Sequence, residues 1–558
     1  MCPNSGVGVH RSISECNSEI ANRFQMSLRG VTVTSEAVPW KSVPRARASG
    51  GMLCHIRPAE RAPSTPGSPA VRPNPGRLWR NAVDCAQNYW SLALTVPTTA
   101  WETVAAIRAK ELTAVEALEA ALKRIEKANP ALNAFIYVDP EAAMAAAQQV
   151  DAGCNRNETP GLLAGVPIGV KDLEGVAGMP HTDGSRAYRN RLADVDSVQV
   201  ARLKGAGAVV VGKTNTPEFG YLPLTNNLLF GATGNPWNPE LTSGGSSGGS
   251  ASAVAAGMVS LATASDGGGS IRIPAAMCGI YGIKPSAGRI PRADLHASHW
   301  GTHSTRGPLS RNVRDAGLYM DAAVGPHPND LDSLDGPVGV YERAAMSAPP
   351  KLRRIAWSGD LGYAVVDEQV CAIALDAARA LAAALGVELV EADPGFGNTM
   401  ATWYTLAAAG DAAMLDSMTE EERNLVDPGF KAFAEQGRAI SGVQVAEAQQ
   451  ARHTLNRGMT EFFNQYDLLL TPTAAGLPFA KEGPPPSVIG GKQVPPGGIV
   501  PFTAPFNTTG HPAASLPAGM SREGLPVGLQ VVAPRHLDTL LLSVSGVYEQ
   551  ARPWPFVQ

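Results

Sequence analysis

Two loops rich in glycine and serine contain side chains that could cleave an acyl–nitrogen bond. Residues 244–249 read Gly-Gly-Ser-Ser-Gly-Gly, and residues 266–270 read Asp-Gly-Gly-Gly-Ser. Consecutive glycines lack Cβ atoms and accept unusual backbone angles, so several N–H groups can converge on one point. Convergent N–H groups beside a serine hydroxyl are what an oxyanion hole and its nucleophile require. The two loops therefore predict acyl transfer through a serine.

Flexible linkers are the alternative explanation for a composition of this kind. The segment between the loops, residues 251–264, is rich in alanine and valine, and it predicts a tightly packed internal helix followed by a strand. The second loop continues directly into Ile-Arg-Ile-Pro at residues 271–274. Linkers do not normally enclose a buried helix, so the pattern favours a site.

Residues 207–214 match the phosphate-loop pattern G-x-x-x-x-G-K-T letter by letter. That loop needs flexible residues that curl around a phosphate and lead into a helix. Here the middle of the pattern is Ala-Val-Val-Val, which favours a strand, and Pro217 follows shortly afterwards. We therefore predict a strand at this position and no nucleotide cofactor.

Residues 244–248 also match the nucleophile elbow G-x-S-x-G. An elbow interrupts a strand that runs directly into it, and its serine needs an Asp and a His further along the chain. Residues 235–243 are turn and loop formers, and no convincing Asp-then-His pair follows. The sequence therefore predicts a loop before Gly244 and argues against a Ser-His-Asp triad.

Three histidines, His296, His299 and His303, are spaced closely enough to suggest a metal site. Gly301 and the prolines that flank the segment make a rigid ligand-bearing helix doubtful, and Asp294 is the one carboxylate at a supporting spacing. We predict loop histidines that line a cleft, with no metal.

Several segments together resemble the amidase signature family. The resemblance is most specific between residues 165 and 285 and extends loosely from about residue 99 to residue 553. The matching segments are residues 165–172 (GVPIGVKD), 212–219 (GKTNTPEF), 244–258, 264–279, 282–285 (GIKP), 307–315, 505–513 and 524–530. The second of these segments accounts for the phosphate-loop match.

The resemblance implies a catalytic triad of Lys171, Ser246 and Ser270, with a cis peptide bond at Ser246 and Ser270 as the nucleophile. It places the oxyanion hole on backbone N–H groups of the second loop, which includes Gly267, Gly268 and Gly269. Gly267 departs from the family pattern, because a residue with a side chain is common at that position, and the departure is expected to loosen the hole. No metal or other cofactor is implied.

Cleavage of an amide requires protonation of the leaving nitrogen, because an amide anion is too basic to be expelled. Lys171 can both accept and return a proton if it is neutral before attack. A lysine titrates near ~10.4 in water, and burial among apolar residues such as Val166, Ile168 and Val170 lowers that value. Ser246 can relay the proton, because a hydroxyl both donates and accepts.

Alternating helical and strand patterns must position these groups. Thr113 and Glu116 form a capping box, and the helix that follows is expected to stop at Asn129-Pro130. We predict an α/β fold: one large amidase signature domain in which a mixed central β-sheet is covered by helices on both faces. The predicted strands are residues 135–138, 166–170, 208–211, 387–390, 468–471 and 527–532, and the later helices are residues 197–204, 367–385 and 443–463.

Composition separates the first 95 residues from the rest. Ten arginines and one lysine face only five acidic residues within residues 1–90, and Pro and Ser interrupt any period. We predict a disordered extension over residues 1–95 and a catalytic domain over residues 96–558. The whole chain carries a net charge of −4, which argues against nucleic acid as a partner.

Seven cysteines are scattered without a C-x-x-C pair, which is typical of a reducing compartment and predicts a cytoplasmic protein. No apolar run is long enough to span a membrane. The resemblance is compatible with a homodimer.

Three functions remain open. The first is an amidohydrolase that cleaves small carboxamides, including anilides, carbamates or oligoamides, through an acyl-enzyme. The second is the glutaminase-like A subunit of a tRNA-dependent amidotransferase, which would need partner subunits, ATP and glutamine. The third is a non-catalytic binding protein, which the three occupied catalytic positions argue against. Residues 291–306 and 476–501 favour a substrate cleft formed by this chain alone and hence the first function.

A set of aromatic residues could line that cleft or belong to the core: Trp300, Trp403, Tyr404, Phe502 and Phe506.

Overall fold

The computed structural model describes residues 96–293 and 300–557 of the chain. The predicted extension and the histidines at positions 296 and 299 lie outside the described residues. The helices are α1 (Ala100–Arg108), α2 (Ala114–Leu132), α3 (Pro140–Asn155), α4 (Val198–Gly205), α5 (Gly248–Ala255), α6 (Arg272–Cys278), α7 (Val313–Ala323), α8 (Tyr341–Ala345), α9 (Glu368–Leu385), α10 (Met400–Ser417), α11 (Glu420–Leu425), α12 (Pro428–Gly437), α13 (Gly442–Gln465), α14 (Ala504–Thr508) and α15 (Asp538–Ala551).

The strands follow the predicted alternation with helices. They are β1 (Phe135–Val138), β2 (Pro167–Lys171), β3 (Val209–Thr214), β4 (Gly234–Asn235), β5 (Asn238–Thr242), β6 (Leu261–Asp266), β7 (Tyr281–Lys284), β8 (Thr305–Ser310), β9 (Arg354–Trp357), β10 (Glu388–Glu391), β11 (Leu468–Pro472), β12 (Val488–Ile489), β13 (Lys492–Gln493), β14 (Ala513–Met520) and β15 (Pro526–Val532). All six predicted strands and the three later helices are confirmed, with ends that move by at most three residues.

Eleven strands form one mixed sheet in the order β1-β3-β2-β6-β8-β7-β14-β15-β11-β9-β10. Strand β2 runs parallel to both β3 and β6, and β9 runs parallel to both β10 and β11. The remaining pairs in the sheet are antiparallel. The predicted mixed sheet is confirmed.

Helices cover both faces of this sheet. Successive side chains of a strand point to opposite faces, and the consecutive leucines of β11 illustrate the two layers. Leu468 and Leu470 belong to an apolar cluster that includes residues of α9 and α15. Leu469, between them, belongs to another cluster that includes Phe462 and Phe463 of α13. A strand buried on both faces therefore reads as a continuous apolar run rather than an alternating one.

Helix α2 begins as the sequence predicts but ends later. Both hydrogen bonds of the Thr113–Glu116 capping box are present. The prediction that Asn129-Pro130 ends the helix is wrong, because α2 continues through Pro130 to Leu132. The Asn129 carbonyl accepts the N–H of Asn133, and the Asn129 side chain accepts the N–H groups of the next residues, Ala134 and Phe135. These bonds terminate the helix in place of the proline.

The prediction for the phosphate-loop match is confirmed, and the prediction for the segment before the nucleophile-elbow match is wrong. Residues 209–214 form strand β3, so the prediction of a strand within the phosphate-loop match is confirmed. The prediction of a loop over residues 235–243 is wrong, because β5 occupies Asn238–Thr242 and pairs with β4. The N–H of Thr242 also donates to the carbonyl of Phe479 at 2.7 Å. A backbone partner more than 200 residues away supplies the bond that turn-forming residues could not reveal.

Among the residues that the structure describes, no helix is both long and apolar enough to cross a membrane.

Candidate active site

The neighbouring strands β2 and β6 bring the site residues to one edge of the sheet. They run parallel, with Ile168 opposite Leu261, so their carboxyl ends lie at the same edge. Lys171 is the last residue of β2, and the second glycine loop follows directly after β6. The first glycine loop leads into α5, a helix whose residues are all buried.

The Lys171 side chain is fully buried, and its ammonium nitrogen lies among serine hydroxyls. Nζ is 2.7 Å from Oγ of Ser246, 2.9 Å from Oγ of Ser247 and 3.1 Å from Oγ of Ser265. Its backbone N–H donates to Oγ1 of Thr263 at 3.0 Å, which fixes the end of the strand. Within residues 96–293 and 300–557, the amine therefore has hydroxyl partners and no carboxylate within hydrogen-bonding distance.

Burial lowers the pKa of Lys171 to about 7, because the charged form loses its hydration, while the nearby carboxylates of Glu174 and Asp266 act in the opposite direction. Neutral and charged forms are therefore both accessible near neutral pH. A neutral amine has two N–H groups and one lone pair, so one of the three hydroxyls must then donate to Nζ. The hydroxyl of Ser246, at the shortest distance, is suited to that role.

The first glycine loop brings its backbone against neighbouring chain segments. The Gly245–Ser246 peptide bond is cis, as the resemblance implies. A Cβ on Gly245 would lie 2.6 Å from the backbone nitrogen of Leu224, so only glycine fits there. A strand, β5, does precede this loop and a helix, α5, does follow it, as in a nucleophile elbow. The partner of Ser246, however, is a lysine and not a histidine.

Ser270 is 8% exposed and lies where the second loop meets the first. The N–H of Ser247 donates to the carbonyl oxygen of Ser270 at 3.3 Å and so joins the two loops. Among the described residues, the Ser270 hydroxyl makes no hydrogen bond with Ser246. Hydrogen bonds between a nucleophile and its base are often loose before substrate binds and tighten in the complex with substrate.

Four consecutive N–H groups in the second loop, those of Gly267, Gly268, Gly269 and Ser270, have no hydrogen-bond acceptor in the described part of the chain. In contrast, the carbonyl oxygen of each of these four peptide units accepts a hydrogen bond. The donors to the carbonyls of residues 266, 267, 268 and 269 are, in that order, Asn507 Nδ2 at 2.7 Å, Trp403 Nε1 at 2.7 Å, Thr503 Oγ1 at 2.6 Å and the N–H of Ile273 at 2.7 Å. In a trans peptide the N–H points away from the carbonyl, so each of the four N–H groups points away from the donor that holds the carbonyl of its own peptide unit.

A buried ion pair holds the base of this loop. Arg272 contacts Asp266 at 2.8 Å with both side chains inaccessible to solvent. Burial alone would raise the pKa of Asp266, but the guanidinium of Arg272 and further partners hold it at about 2. Asn507 bonds to both members, as acceptor from Arg272 at 2.7 Å and as donor to the Asp266 carboxylate at 2.8 Å. The Arg272–Asp266 pair therefore has a structural role: it holds the shape of the loop.

Sequence reasoning missed the other two hydroxyls that contact Lys171. Ser247 adjoins Ser246 in the same motif, so its position was a usable signal. Ser265 lies one residue before the end of β6, where neighbouring parallel strands bring side chains together. Thr503 gave no signal, because it approaches the loop from a distant part of the chain. Trp403 was predicted only as one of several aromatic residues that could line a cleft or belong to the core, and nothing in the sequence linked it to this loop.

The predicted cleft histidines receive only a partial description. His303 lies in a 3₁₀ turn, is buried, and has a pKa lowered to about 3 by burial and by the neighbouring charge of Arg452, so it is neutral. Within residues 96–293 and 300–557, no cluster of three or more His, Cys, Asp or Glu side chains could hold a metal ion.

The sequence profile of the amidase family matches residues 116–542, more than three quarters of the chain. The chain belongs to the amidase signature family. An acylamidase from Rhodococcus erythropolis is 37% identical over 460 residues, which cover 82% of this chain and 95% of that protein. The A subunit of a glutamyl-tRNA(Gln) amidotransferase from Synechococcus sp. (strain RCC307) is also 37% identical, over 483 residues, with 82% and 97% covered.

The crystal structure of a bacterial aryl acylamidase, described as an amidase signature enzyme, superimposes on the chain with a TM-score of 0.77. The two sequences are 32% identical, and the alignment covers 82% of this chain and 96% of the other. As a member of this family, the chain is a hydrolase that acts on amide C–N bonds.

Proposed function

We propose that this amidase uses Ser270 as its nucleophile, Ser246 as a proton relay and Lys171 as the base that later acts as an acid. The observation that carries the proposal is the 2.7 Å contact between Lys171 Nζ and Ser246 Oγ, beside a loop whose four N–H groups have no acceptor among the described residues. A lysine with a pKa of about 7 can accept a proton and give it back at neutral pH.

In the proposed reaction, Ser270 Oγ attacks the amide carbonyl while its proton passes to Ser246 and the Ser246 proton passes to Lys171. The N–H groups of residues 267–270 bind the oxyanion that forms. The C–N bond then breaks as the leaving nitrogen takes a proton back along the same chain. Water repeats the sequence on the acyl-enzyme, which releases a carboxylate and frees Ser270.

We propose carboxamides with an apolar or aryl group as the substrates, and a chain that acts without partner subunits. The names of the related acylamidase and aryl acylamidase support this class. The indole rings of Trp300 and Trp403 lie against Gly267 and Gly268, so the flank of the loop is aromatic rather than charged. Free glutamine, in contrast, brings an ammonium and a carboxylate that require ionic partners.

The second candidate is a glutaminase-like A subunit of a tRNA-dependent amidotransferase. The 37% identity to the Synechococcus protein, equal to that of the acylamidase, favours keeping it. That function would need partner subunits, ATP and glutamine, and the isolated chain would then have little activity on simple amides.

The test is hydrolysis by the purified single chain of acetamide, 4-nitroacetanilide and glutamine, measured side by side as release of ammonia or 4-nitroaniline. We expect turnover of the simple amides, and a loss of about 10⁴-fold or more for Ser270→Ala with unchanged circular dichroism. Turnover of glutamine alone would favour the amidotransferase function. A Ser270→Ala variant with most of its activity would contradict the assignment of the nucleophile.

A fluorophosphonate probe separates a catalyst from a binding protein on the same fold. The Ser270 oxygen would form a bond to phosphorus as fluoride leaves, and mass spectrometry would locate the adduct.

The cytoplasmic location and the homodimer remain predictions, the first from the cysteine pattern and the second from the resemblance.

A further inference from the structure

The indole N–H of Trp403 fixes the orientation of one peptide unit in the loop after β6. It donates to the carbonyl of Gly267 at 2.7 Å. The N–H of the same peptide unit belongs to Gly268 and points the opposite way, because the unit is planar and trans. Since neither residue has a Cβ, their own backbone torsion angles are weakly restricted, and contacts from other segments must fix this unit. The indole therefore determines where the Gly268 N–H points.

A second tryptophan packs against the same unit. The rings of Trp300 and Trp403 meet edge to face, with centroids 5.7 Å apart. The Trp300 indole N–H donates to Oδ1 of Asp411 at 2.8 Å, and the Asp411 side chain is buried on α10, the helix that also carries Trp403. One helix thus holds both rings in a fixed arrangement.

The fit between Trp300 and the loop requires glycine at position 267. A Cβ on Gly267 would lie 2.1 Å from Cε3 of Trp300, far inside van der Waals contact. A Cβ on Gly268 would lie 3.0 Å from Cζ2 of Trp403. The expectation that Gly267 loosens the hole is therefore unsupported, since the Trp300 ring occupies the space that a side chain would fill.

We propose that Trp403 and Trp300 are positioning residues of the oxyanion hole, with Trp403 aiming the Gly268 N–H and Trp300 holding Gly267 beneath its ring. The inference rests on the proposed function, in which this loop stabilises the oxyanion. A donor that is misaligned when charge develops in the transition state loses stabilisation that the ground state does not have. The effect should consequently appear in kcat more than in KM.

The first experiment removes the indole N–H and keeps a ring, as Trp403→Phe. With 4-nitroacetanilide as the substrate, we expect kcat to fall by ~10- to 100-fold, somewhat less than the ~10²–10³-fold typical of deleting a hole donor. KM should change by less than about threefold, because binding of the ground state is retained. The rate of labelling by a fluorophosphonate should fall in parallel, since its phosphoryl oxygen occupies the same hole.

Trp554→Phe is the matched control. The Trp554 indole also donates to a backbone carbonyl, that of Arg311, at 3.0 Å, but it lies near the carboxyl end of the chain and outside the site. We expect wild-type kcat and labelling from this variant. Equal kcat in Trp403→Phe and wild type, or equal losses in Trp403→Phe and Trp554→Phe, would overturn the inference.

The second experiment exchanges volume between the ring and the loop. Gly267→Ala alone should lower kcat, and Trp300→Leu in the same chain should restore part of the loss, because the shorter side chain makes room for the new methyl group. Additive losses in the double variant would contradict the packing between these positions. If Ser270→Ala is inactive while these variants are normal, only this inference fails. If Ser270→Ala is active, the proposed mechanism itself fails.

Discussion

Two fully buried lysines lie at the ends of neighbouring parallel strands and have different surroundings. Lys171 ends β2 and contacts three serine hydroxyls. Lys213, in β3, is 3.1 Å from the carboxylate of Asp172 and also donates to the carbonyls of Glu174 and Pro180. Lys213 pairs with Val170, whose side chain points to the opposite face from that of Lys171. An offset of one residue therefore sends the two amines to opposite sides of the sheet.

The difference teaches that burial alone does not make a lysine suitable for proton transfer. Lys213 has the carboxylate of Asp172 beside its amine, whereas Lys171, among the residues that the structure describes, contacts only neutral hydroxyls. Lys284 adds a third case: burial also lowers its pKa to about 7, yet its amine donates to the backbone carbonyl of Pro285. A lowered pKa needs a hydroxyl relay beside it before protons can reach a substrate.

The largest expected effect comes from Lys171→Met, which keeps the length of the side chain and removes the amine. We expect turnover of 4-nitroacetanilide to fall by about 10⁴-fold or more, because the proposed base is lost. Lys284→Met, the matched change at another buried lysine, should keep activity within about tenfold. Comparable losses in both variants would break the distinction between them.

The effects on the free energy of unfolding should differ from those on activity: Lys213→Met should destabilise the protein more than Lys171→Met. Lys213→Met leaves the Asp172 carboxylate buried without its cation, and we expect the free energy of unfolding to fall by about 3–5 kcal/mol in urea titrations. Asp172→Asn in the same chain should recover part of that loss.

Lys171→Met should not lower the free energy of unfolding at pH 7. Its pKa is lower in the folded state, so the unfolded chain binds more protons between pH 7 and the ordinary lysine range, and the native amine costs stability there. A large destabilisation by Lys171→Met, equal to that of Lys213→Met, would contradict the comparison.

A smaller effect should appear in the pH profile. In the proposed mechanism the neutral form of Lys171 accepts the proton, so kcat/KM should rise as the pH increases through about 7 and then level off. Ser247 donates its hydroxyl proton to the Ser265 carbonyl and presents its oxygen to Nζ, which favours the ammonium. Ser247→Ala should therefore move the midpoint to lower pH, by about one pH unit for a hydrogen bond to a charged group.

Ser250→Ala is the control for that profile. Ser250 is a buried serine on α5, the helix that begins directly after Ser247, and its hydroxyl donates to the carbonyl of Thr263. Its removal should leave the midpoint unchanged, and an equal displacement in both variants would indicate a general change in the fold.

Much of this site could be predicted because its signals are local. A strand that ends in a lysine and two glycine loops around a small-residue helix each occupy a short stretch of sequence, and their chemistry follows from residue type. The capping box of α2 and the strands of the sheet are also local patterns, and the structure has them where the sequence predicts them.

The features that could not be predicted depend on contacts between distant segments. Strand β5 pairs with the short strand β4, and the N–H of Thr242 adds a bond to Phe479, more than 200 residues away. The end of α2 is a local exception, because the Asn129 side chain accepts the N–H groups of Ala134 and Phe135 beyond Pro130. The tryptophan rings against Gly267 and Gly268 come from positions 300 and 403, and no short motif links those positions. Prediction therefore failed where tertiary partners override local preference.

The hydrogen bonds that hold the carbonyls of residues 266–269 have a consequence for synthesis on the ribosome. A nascent chain already contains Lys171, Ser246 and Ser270 when roughly half of it has been made. Thr503 and Asn507, which orient two of the four peptide units, emerge only near the end of translation. If the proposed mechanism is correct, an incomplete chain would have the proposed reactive groups before Thr503 and Asn507 could orient the loop, and hydrolysis would require the segment that contains those two residues.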